Sequence, residues 1–283
     1  MNKPRFHLIG AAGYIARKHL DAIKHVGGEL VSACDITDSV GILDSFDKEC
    51  HFTTNDRSAK ARYQAGDYVI VCSPNYMHAD HCSDALFNGA NVICEKPMVV
   101  NESHLNRLEK ALKYAGVAEV YPVLQMRYHP IVNWLNSQPT TVKGKINYTT
   151  PRGYWYASSW KTDPIKSGGL MLNIGIHLFD LMIYCYGPVS KFKIHYSEWN
   201  RAAGKLLFDS GREVEWFISL DPKDAPNGPN RQFTFGEETR DIEGTPDLHN
   251  KLYTAIMEGS APSFEDAVPA LKLVFKMRKK AKL

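Results

Sequence analysis

The sequence predicts an α/β protein of two domains, the first built on a parallel sheet and the second on a mainly antiparallel one. Three observations predict it. Over roughly the first 120 residues, short apolar runs alternate with amphipathic stretches, the signature of β-α-β units. Beyond about residue 140, β-rich segments follow one another with few helices between them. A length of 283 residues, at roughly 100–200 residues per domain, points to two domains or one large one.

The first-domain strands are expected at Arg5–Ile9, Leu30–Cys34, Tyr68–Cys72, Asn91–Cys94 and Glu119–Val123, each short, apolar or β-branched and bounded by turns. Between them Gly13–Val26, His78–Asn88 and Glu102–Tyr114 carry apolar residues three and four apart, as at Leu105, Leu108 and Leu112, and read as crossover helices. Residues 44–64 are less periodic; a weak strand near His51 with short helices around it is expected there. In the second half, Lys145–Thr150, Val189–Ser197, Gly204–Phe208, Glu213–Leu220 and Arg231–Phe235 read as strands. One long helix, Gly169–Tyr186, interrupts them, and helices Pro246–Met257 and Phe264–Lys279 follow. The segment DPKDAPNGPN at 221–230 is a loop.

Composition narrows the classes. Hydrophobic residues at 44% and charged residues at 23% exclude disordered, collagen-like and coiled-coil chains. A net charge of +3 is too small to imply a polyanion groove, so no nucleic-acid partner is expected. Six cysteines without a C-x-x-C pair fit neither a zinc site nor a disulfide scaffold; reduced thiols, a cytoplasmic location and no metal are expected. His7 interrupts the small apolar residues near the start, no cleavage motif follows, and no stretch approaches the roughly 18–20 apolar residues of a membrane span.

The loop GAAGYIA follows the first strand and opens the first helix, where backbone amides and the helix dipole can receive a pyrophosphate. Gly10, Ala12, Gly13, Tyr14 and Ile15 are its candidate residues. Its spacing, G-x-x-G-x-x-A, also suits a plain tight turn, but Asp35 ends the second strand about twenty residues on, where a carboxylate can accept from both ribose hydroxyls. The same charge would repel a 2′-phosphate, and no arginine follows in DITDSVG, so NAD is expected over NADP. Short-chain dehydrogenases share such a loop but need Tyr-x-x-x-Lys; the spacing found, Tyr14 to Lys18, lies inside the nucleotide loop.

Ligands of open α/β sheets sit beyond the carboxyl ends of the strands. There stand Ser73 and Asn75 after the fourth strand, Glu95 and Lys96 after the fifth, and Gln125 after the sixth. Pro97 keeps Lys96 extended at that edge. The helix GLMLNIGIHLFDLMIYCY is apolar on nearly every side except at Asn173, His177 and Asp180, whose offsets of four and three put them on one face as a pocket wall. His177 is the candidate general base, against a structural reading as a buried histidine.

In order along the chain GAAGYIA, CDI, VCSPNYMH, CEKPM, LQMRYHP and SGGLMLNIGIHLFD resemble the Gfo/Idh/MocA family of nicotinamide-dependent sugar oxidoreductases. Within it GAAGYIARKH, DITDSVG, CSPNYMH and RGYWYASSWKTDPIKSGG look most like the UDP-N-acetylglucosamine-uronate 3-dehydrogenases of bacterial surface-polysaccharide synthesis. The resemblance implies a Rossmann domain over residues 1–124 and a substrate-binding and oligomerising α/β domain over 125–283. It implies that His78 joins the cofactor residues, that Lys96 and His177 flank the oxidised sugar carbon, and that the Lys96–Pro97 bond is cis. It places Arg152, Trp155 and Lys161 with Asn173 at the substrate, Arg152 pairing with a uronate or diphosphate. Asn173 stands where the family usually has Asp, which leaves an amide to orient a sugar hydroxyl.

The expected activity is therefore NAD-dependent oxidation of a UDP-sugar uronate at C3 by a homo-oligomer, with 2-oxoglutarate as a second substrate if NAD is reoxidised in place. Dehydrogenation of another sugar or an inositol, and a non-catalytic NAD-binding sensor, are the rival readings.

Overall fold

The protein is described by a computed structural model covering residues 3–46, 49–242, 244–245 and 247–281. It divides into two compact units, Met1–Gln125 with Asp247–Ala267, and Met126–Pro246 with Val268–Leu283.

In the first unit the strands are β1 (Arg5–Ile9), β2 (Glu29–Cys34), β3 (His51–Thr53), β4 (Tyr68–Val71), β5 (Asn91–Cys94) and β6 (Val120–Pro122). They pair in the order β3-β2-β1-β4-β5-β6, all parallel. The order reverses beside β1, which is the switch point where such sheets bind ligands. Phe6, Val69, Ile70, Val71, Val92 and Ile93 are wholly buried, as a sheet covered on both faces requires. The helices are α1 (Ala16–His25), α2 (Asp56–Lys60), α3 (His78–Phe87) and α4 (Glu102–Tyr114). Strand and helix bounds agree with expectation to within a few residues, including the weak strand at His51. The largest difference is at α1, which begins at Ala16 rather than Gly13 and so leaves Gly13–Ile15 in the loop.

In the second unit β7 (Gly144–Thr149), β8 (Val189–Ser197), β9 (Arg201–Phe208), β10 (Glu213–Ser219), β11 (Asn230–Phe235) and β12 (Glu238–Asp241) form one sheet, ordered β12-β11-β7-β10-β9-β8. β7 and β10 run parallel and the other neighbours antiparallel. β12 was not expected: Glu-Thr-Arg-Asp is exposed at every position and has no apolar alternation to announce a strand. β9 shows the opposite case, with Ala202, Leu206 and Phe208 buried on one face and Arg201, Ala203, Lys205 and Leu207 half-exposed on the other.

Helices α5 (Ile131–Ser137), α6 (Tyr154–Ala157), α7 (Pro164–Ser167), α8 (Gly169–Asn173) and α9 (Ile176–Tyr186) lie within this unit. The long helix expected over Gly169–Tyr186 is thus broken at Ile174–Gly175, where Pro164–Asn173 and Ile176–Tyr186 meet at 44°. The Gly175 amide donates to Leu170 O, five residues back, instead of to the residue four back, a wide turn that bends the helix. A Cβ at Gly175 would stand 2.6 Å from Met171 O and 2.7 Å from Ile218, so only glycine fits the bend. Among the described residues no single helix is long and apolar enough to cross a membrane.

The chain then supplies α10 (Leu248–Met257) to the first unit and ends with α11 (Phe264–Lys280), which starts in the first unit and finishes in the second. The contiguous division at residue 124–125 is therefore corrected. Tyr253 of α10 stacks on Phe6, with ring centroids 5.8 Å apart, and is wholly buried, so the helix belongs with the first sheet. The expected start of this helix at Pro246 lies outside the described residues.

Gly204 sits opposite Trp216 in the β9–β10 register, and a Cβ there would come within 2.6 Å of the indole. Gly204→Ala should therefore lower stability by about 1–3 kcal/mol through overpacking, read as an earlier urea midpoint followed by tryptophan fluorescence.

Candidate active site

The loop after β1 is held by its backbone. Gly10 has φ 86°, a left-handed conformation that favours glycine, and a Cβ there would lie 2.6 Å from the Cys72 carbonyl and 2.8 Å from Ser73 N. The Gly10 and Ala11 amides both donate to Cys34 O, at 2.8 and 3.2 Å, so the loop is pinned between the ends of β2 and β4. Asp35 Oδ2 accepts from the Ala12 amide at 2.9 Å and Oδ1 from the Thr37 amide at 3.1 Å. α1 opens at Ile15 with no side-chain cap and no acidic residue in its first turn. Its leading amides and dipole are therefore not offset by a local carboxylate, which suits an anion. Ala12, Gly13 and Tyr14 are exposed over this helix end, and Ile15 is half-buried. Tyr14 at 96% and Ile36 at 93% exposure are apolar surfaces beside the glycine loop and Asp35.

The expected residues at the strand ends fall into two groups. Lys96 is half-buried and lies two residues beyond the end of β5, with a cis bond to Pro97. Gln125 is half-buried too, and its side-chain Oε1 is buried without a hydrogen-bond partner among the described residues, a polar atom whose bonding is left incomplete. The others are engaged within the protein. Ser73 Oγ lies 2.8 Å from His81 Nδ1, and Asn75 is buried. The His78 ring nitrogens lie 2.9 Å from Pro97 O and 2.7 Å from Ser73 O, tying the end of β4 to the turn after Lys96; burial lowers its pKa. Glu95 is buried, with one oxygen toward His19 and His249 and the other accepting from the Lys96 amide. An open loop, an uncapped helix end, a carboxylate at the end of β2 and an orphaned amide oxygen fit a dinucleotide such as NAD.

In the second unit Asn173 ends α8 and His177 lies in the first turn of α9, on opposite sides of the break rather than along one helix. His177 is half-buried. Asn173 Nδ2 donates to Tyr156 OH at 2.9 Å. Asp180 does not line a pocket with them: it is 1% exposed and paired with Arg127 through two hydrogen bonds of 3.1 and 2.7 Å, a carboxylate too costly to bury without such a partner.

Arg152 and Trp155 are exposed and Lys161 is half-buried. The Lys161 ammonium lies 4.5 Å from the Trp160 ring centroid and 5.8 Å from that of Trp155. Burial, and then repulsion by Arg152, lowers its pKa. Neither cation has a carboxylate partner among the described residues, an arrangement that favours an incoming anion.

Sequence reasoning missed Tyr156, whose place beside Asn173 has no signal in the short aromatic run, and His19 and His249. Arg127 stood in the motif LQMRYHP, without a sign of its partner.

Residues 5–121 match the model of an oxidoreductase family's NAD-binding Rossmann fold, and residues 138–221 that of the same family's C-terminal α/β domain. The WlbA (WbpB) dehydrogenase from Thermus thermophilus, solved with NAD and UDP-GlcNAcA, aligns with TM-score 0.90 at 35% identity over 97% of this chain and 94% of that one. Among curated proteins, D-glucoside 3-dehydrogenase of Escherichia coli K12 is 27% identical over 63% of this chain and 50% of its own length. Glucose-6-phosphate 3-dehydrogenase of Bacillus subtilis 168 is 29% identical over 63% of this chain and 53% of its own. The chain thus spans about half the length of these curated relatives. With both domains matched in order and the nucleotide loop in place, the chain belongs to the Gfo/Idh/MocA oxidoreductase family.

Proposed function

We propose that this chain oxidises the C3 hydroxyl of UDP-N-acetylglucosamine-uronate to the 3-keto sugar with NAD, in the synthesis of a surface-polysaccharide sugar. The observation that carries the choice of an anionic sugar is the Arg152–Lys161 pair, two neighbouring cations without a carboxylate partner among the described residues. The likeness over nearly the whole chain to a dehydrogenase solved with UDP-GlcNAcA supports this substrate in particular. Two relatives named as 3-dehydrogenases support the carbon. Glucose 6-phosphate, also anionic, is the second reading.

Each residue has a task in this reading. The loop from Ala12 to Ile15 and the amino end of α1 receive the pyrophosphate through the amides not already given to Asp35 and Gly10 O, with Ser73, Asn75 and His78 shaping the neighbouring wall. Asp35 offers ribose hydroxyls the lone pairs left beyond its bonds to Ala12 and Thr37. Gln125 Oε1 accepts from a carboxamide. NAD, when bound, supplies the hydride acceptor. Arg152 and Lys161 hold the sugar's anionic groups, Trp155 gives it an apolar surface and Asn173 orients a hydroxyl. His177, neutral, takes the hydroxyl proton, and the Lys96 ammonium stabilises the oxygen as charge develops on it. A relative solved with NAD and α-ketoglutarate supports 2-oxoglutarate as the acceptor that restores NAD. Self-association through the half-exposed face of the second sheet belongs to the same reading.

The test is to denature the purified protein and assay released dinucleotide, then to mix native protein with UDP-N-acetylglucosamine-uronate, NAD and 2-oxoglutarate and follow the sugar by mass spectrometry. Loss of two hydrogens with formation of 2-hydroxyglutarate is expected. An unchanged nucleotide sugar with oxidised glucose 6-phosphate would move the assignment to the second reading, and bound dinucleotide with neither sugar oxidised would favour a sensor.

His177→Ala should lower kcat by about 10²–10⁴-fold while the Kd for NAD, measured calorimetrically, stays unchanged. Asp35→Asn should narrow the preference for NAD over NADP by about tenfold or more in kcat/KM, equivalent to about 1.4 kcal/mol. With its pKa lowered by burial and by Arg152, Lys161 loses its charge at a lower pH than an ordinary lysine. The sugar KM should therefore climb as pH rises into the alkaline range, and Arg152→Gln, besides raising KM throughout, should move that climb to higher pH.

A further inference from the structure

Glu95 is a carboxylate with 6% of its surface exposed, placed at the carboxyl end of β5 immediately before Lys96. A charge so buried must be met by donors. Three reach it. His19 Nε2, from α1, lies 3.1 Å from Oε1; His249 Nε2, from α10, lies 3.3 Å from the same oxygen; and the Lys96 amide donates to Oε2 at 3.1 Å. The two imidazoles meet edge to face, with centroids 5.0 Å apart. His19 Nδ1 lies 2.7 Å from the Tyr253 hydroxyl, which donates to it and leaves the proton on Nε2, facing Glu95.

The energetics agree with this proton placement. Burial lowers the pKa of His19 despite the pull of Glu95, so its ring is a neutral donor. Burial opposes the charge on Glu95, but hydrogen bonds from His19 and His249 outweigh it and hold its pKa well below the usual carboxylate value. Both oxygens of Glu95 are therefore held: one by the histidine pair and one by the backbone of the residue that follows. On the far side of Lys96, the Pro97 carbonyl is held by the His78 ring. The lysine is gripped through its main chain on both sides.

We propose that His19 and His249 are positioning residues for Lys96, their shared hold on one oxygen of Glu95 aiming the other at the Lys96 amide. This rests on the reading above in which Lys96 acts on the sugar. Glu95 and Lys96 adjoin in sequence, whereas His249 is 154 residues from Glu95, so the arrangement exists only because α10 packs against α1. The same three side chains offer ligand atoms within 4.8 Å of one another, a spacing that also suits a divalent cation. Hydrogen bonds already satisfy the carboxylate and both nitrogens of His19, so the proposal needs no ion.

The test compares His249→Leu with His249→Gln, whose side-chain amide can still donate to Glu95. In His249→Leu, kcat should fall at least tenfold with the KM for NAD and for sugar within about twofold of the parent. His249→Gln should recover most of the loss. Independently of turnover, the pH dependence of Lys96 acetylation, followed by peptide mass spectrometry on full-length protein without sugar, should shift in His249→Leu and return toward the parent in His249→Gln. Should His249→Leu fail to fold, Tyr253→Phe keeps the ring that stacks on Phe6 and removes only the hydroxyl on His19; the same two shifts are expected, smaller in size.

Unchanged kcat and an unchanged Lys96 profile in a folded His249→Leu would overturn the proposal. So would a stoichiometric divalent metal in the purified protein whose removal by chelator abolishes kcat. Lys96→Ala separates the two readings: if it retains turnover, the role of Lys96 fails whatever His249 does, and if it abolishes turnover while His249→Leu does not lower it, the positioning role alone fails.

Discussion

At Gly10 the backbone after β1 passes so close to the end of β4 that a methyl group would lie 2.6 Å from the Cys72 carbonyl, and the nucleotide half of the molecule depends on that approach. The left-handed φ of 86° turns the loop back toward Cys34, whose carbonyl collects the Gly10 and Ala11 amides. With those amides spent on β2, the chain can leave Ala12, Gly13 and Tyr14 exposed above the first turn of α1. The uncapped helix end, the Asp35 carboxylate and the orphaned oxygen of Gln125 then stand at the strand ends as polar groups whose requirements the protein itself meets only in part.

Buried charge is treated in contrasting ways across the chain. Asp67 is met by His7 at 2.8 Å and Arg5 at 3.1 Å, with the other His7 nitrogen on Ser32 Oγ. Glu95 is met by His19 and His249, and Asp180 by the two-bond grip of Arg127. Each carboxylate is matched because a lone one in such surroundings would cost several kcal/mol. Lys161 breaks the pattern, since burial, and then Arg152 beside it, disfavours its charge, and no acid answers it among the described residues. An anion binding beside such a cation would relieve that cost.

The break at Gly175 does comparable work for the second unit. A continuous helix would have run Asn173, His177 and Asp180 down one stripe. The wide turn instead separates Asn173, which donates to Tyr156, from Asp180, which belongs to Arg127, and leaves half-buried His177 between two anchored neighbours. A side chain on a segment tied at both ends has less freedom to lose on ordering.

Local chemistry was legible in the sequence. Periodicities of two and of three to four placed most strands and helices to within a few residues, and the positions of the glycine loop, Asp35, Lys96 and Gln125 at the strand ends followed from those strand bounds. β12 escaped because an exposed polar edge carries no pattern, and the helix break escaped because Leu, Ile and Met read as helix on either side of Gly175. The partners of the buried charges were decided only by tertiary structure. Arg127 and Asp180 are 53 residues apart, Glu95 and His249 are 154, and nothing in either local segment specifies the other. The sequence by itself determined which polar residues stand at the strand ends; the packing of α10 on the first sheet and of α9 in the second unit decided which of them are held, and by what. The physical reason is range: periodicity and turn chemistry act over a few residues, while desolvation acts on whatever the fold brings together.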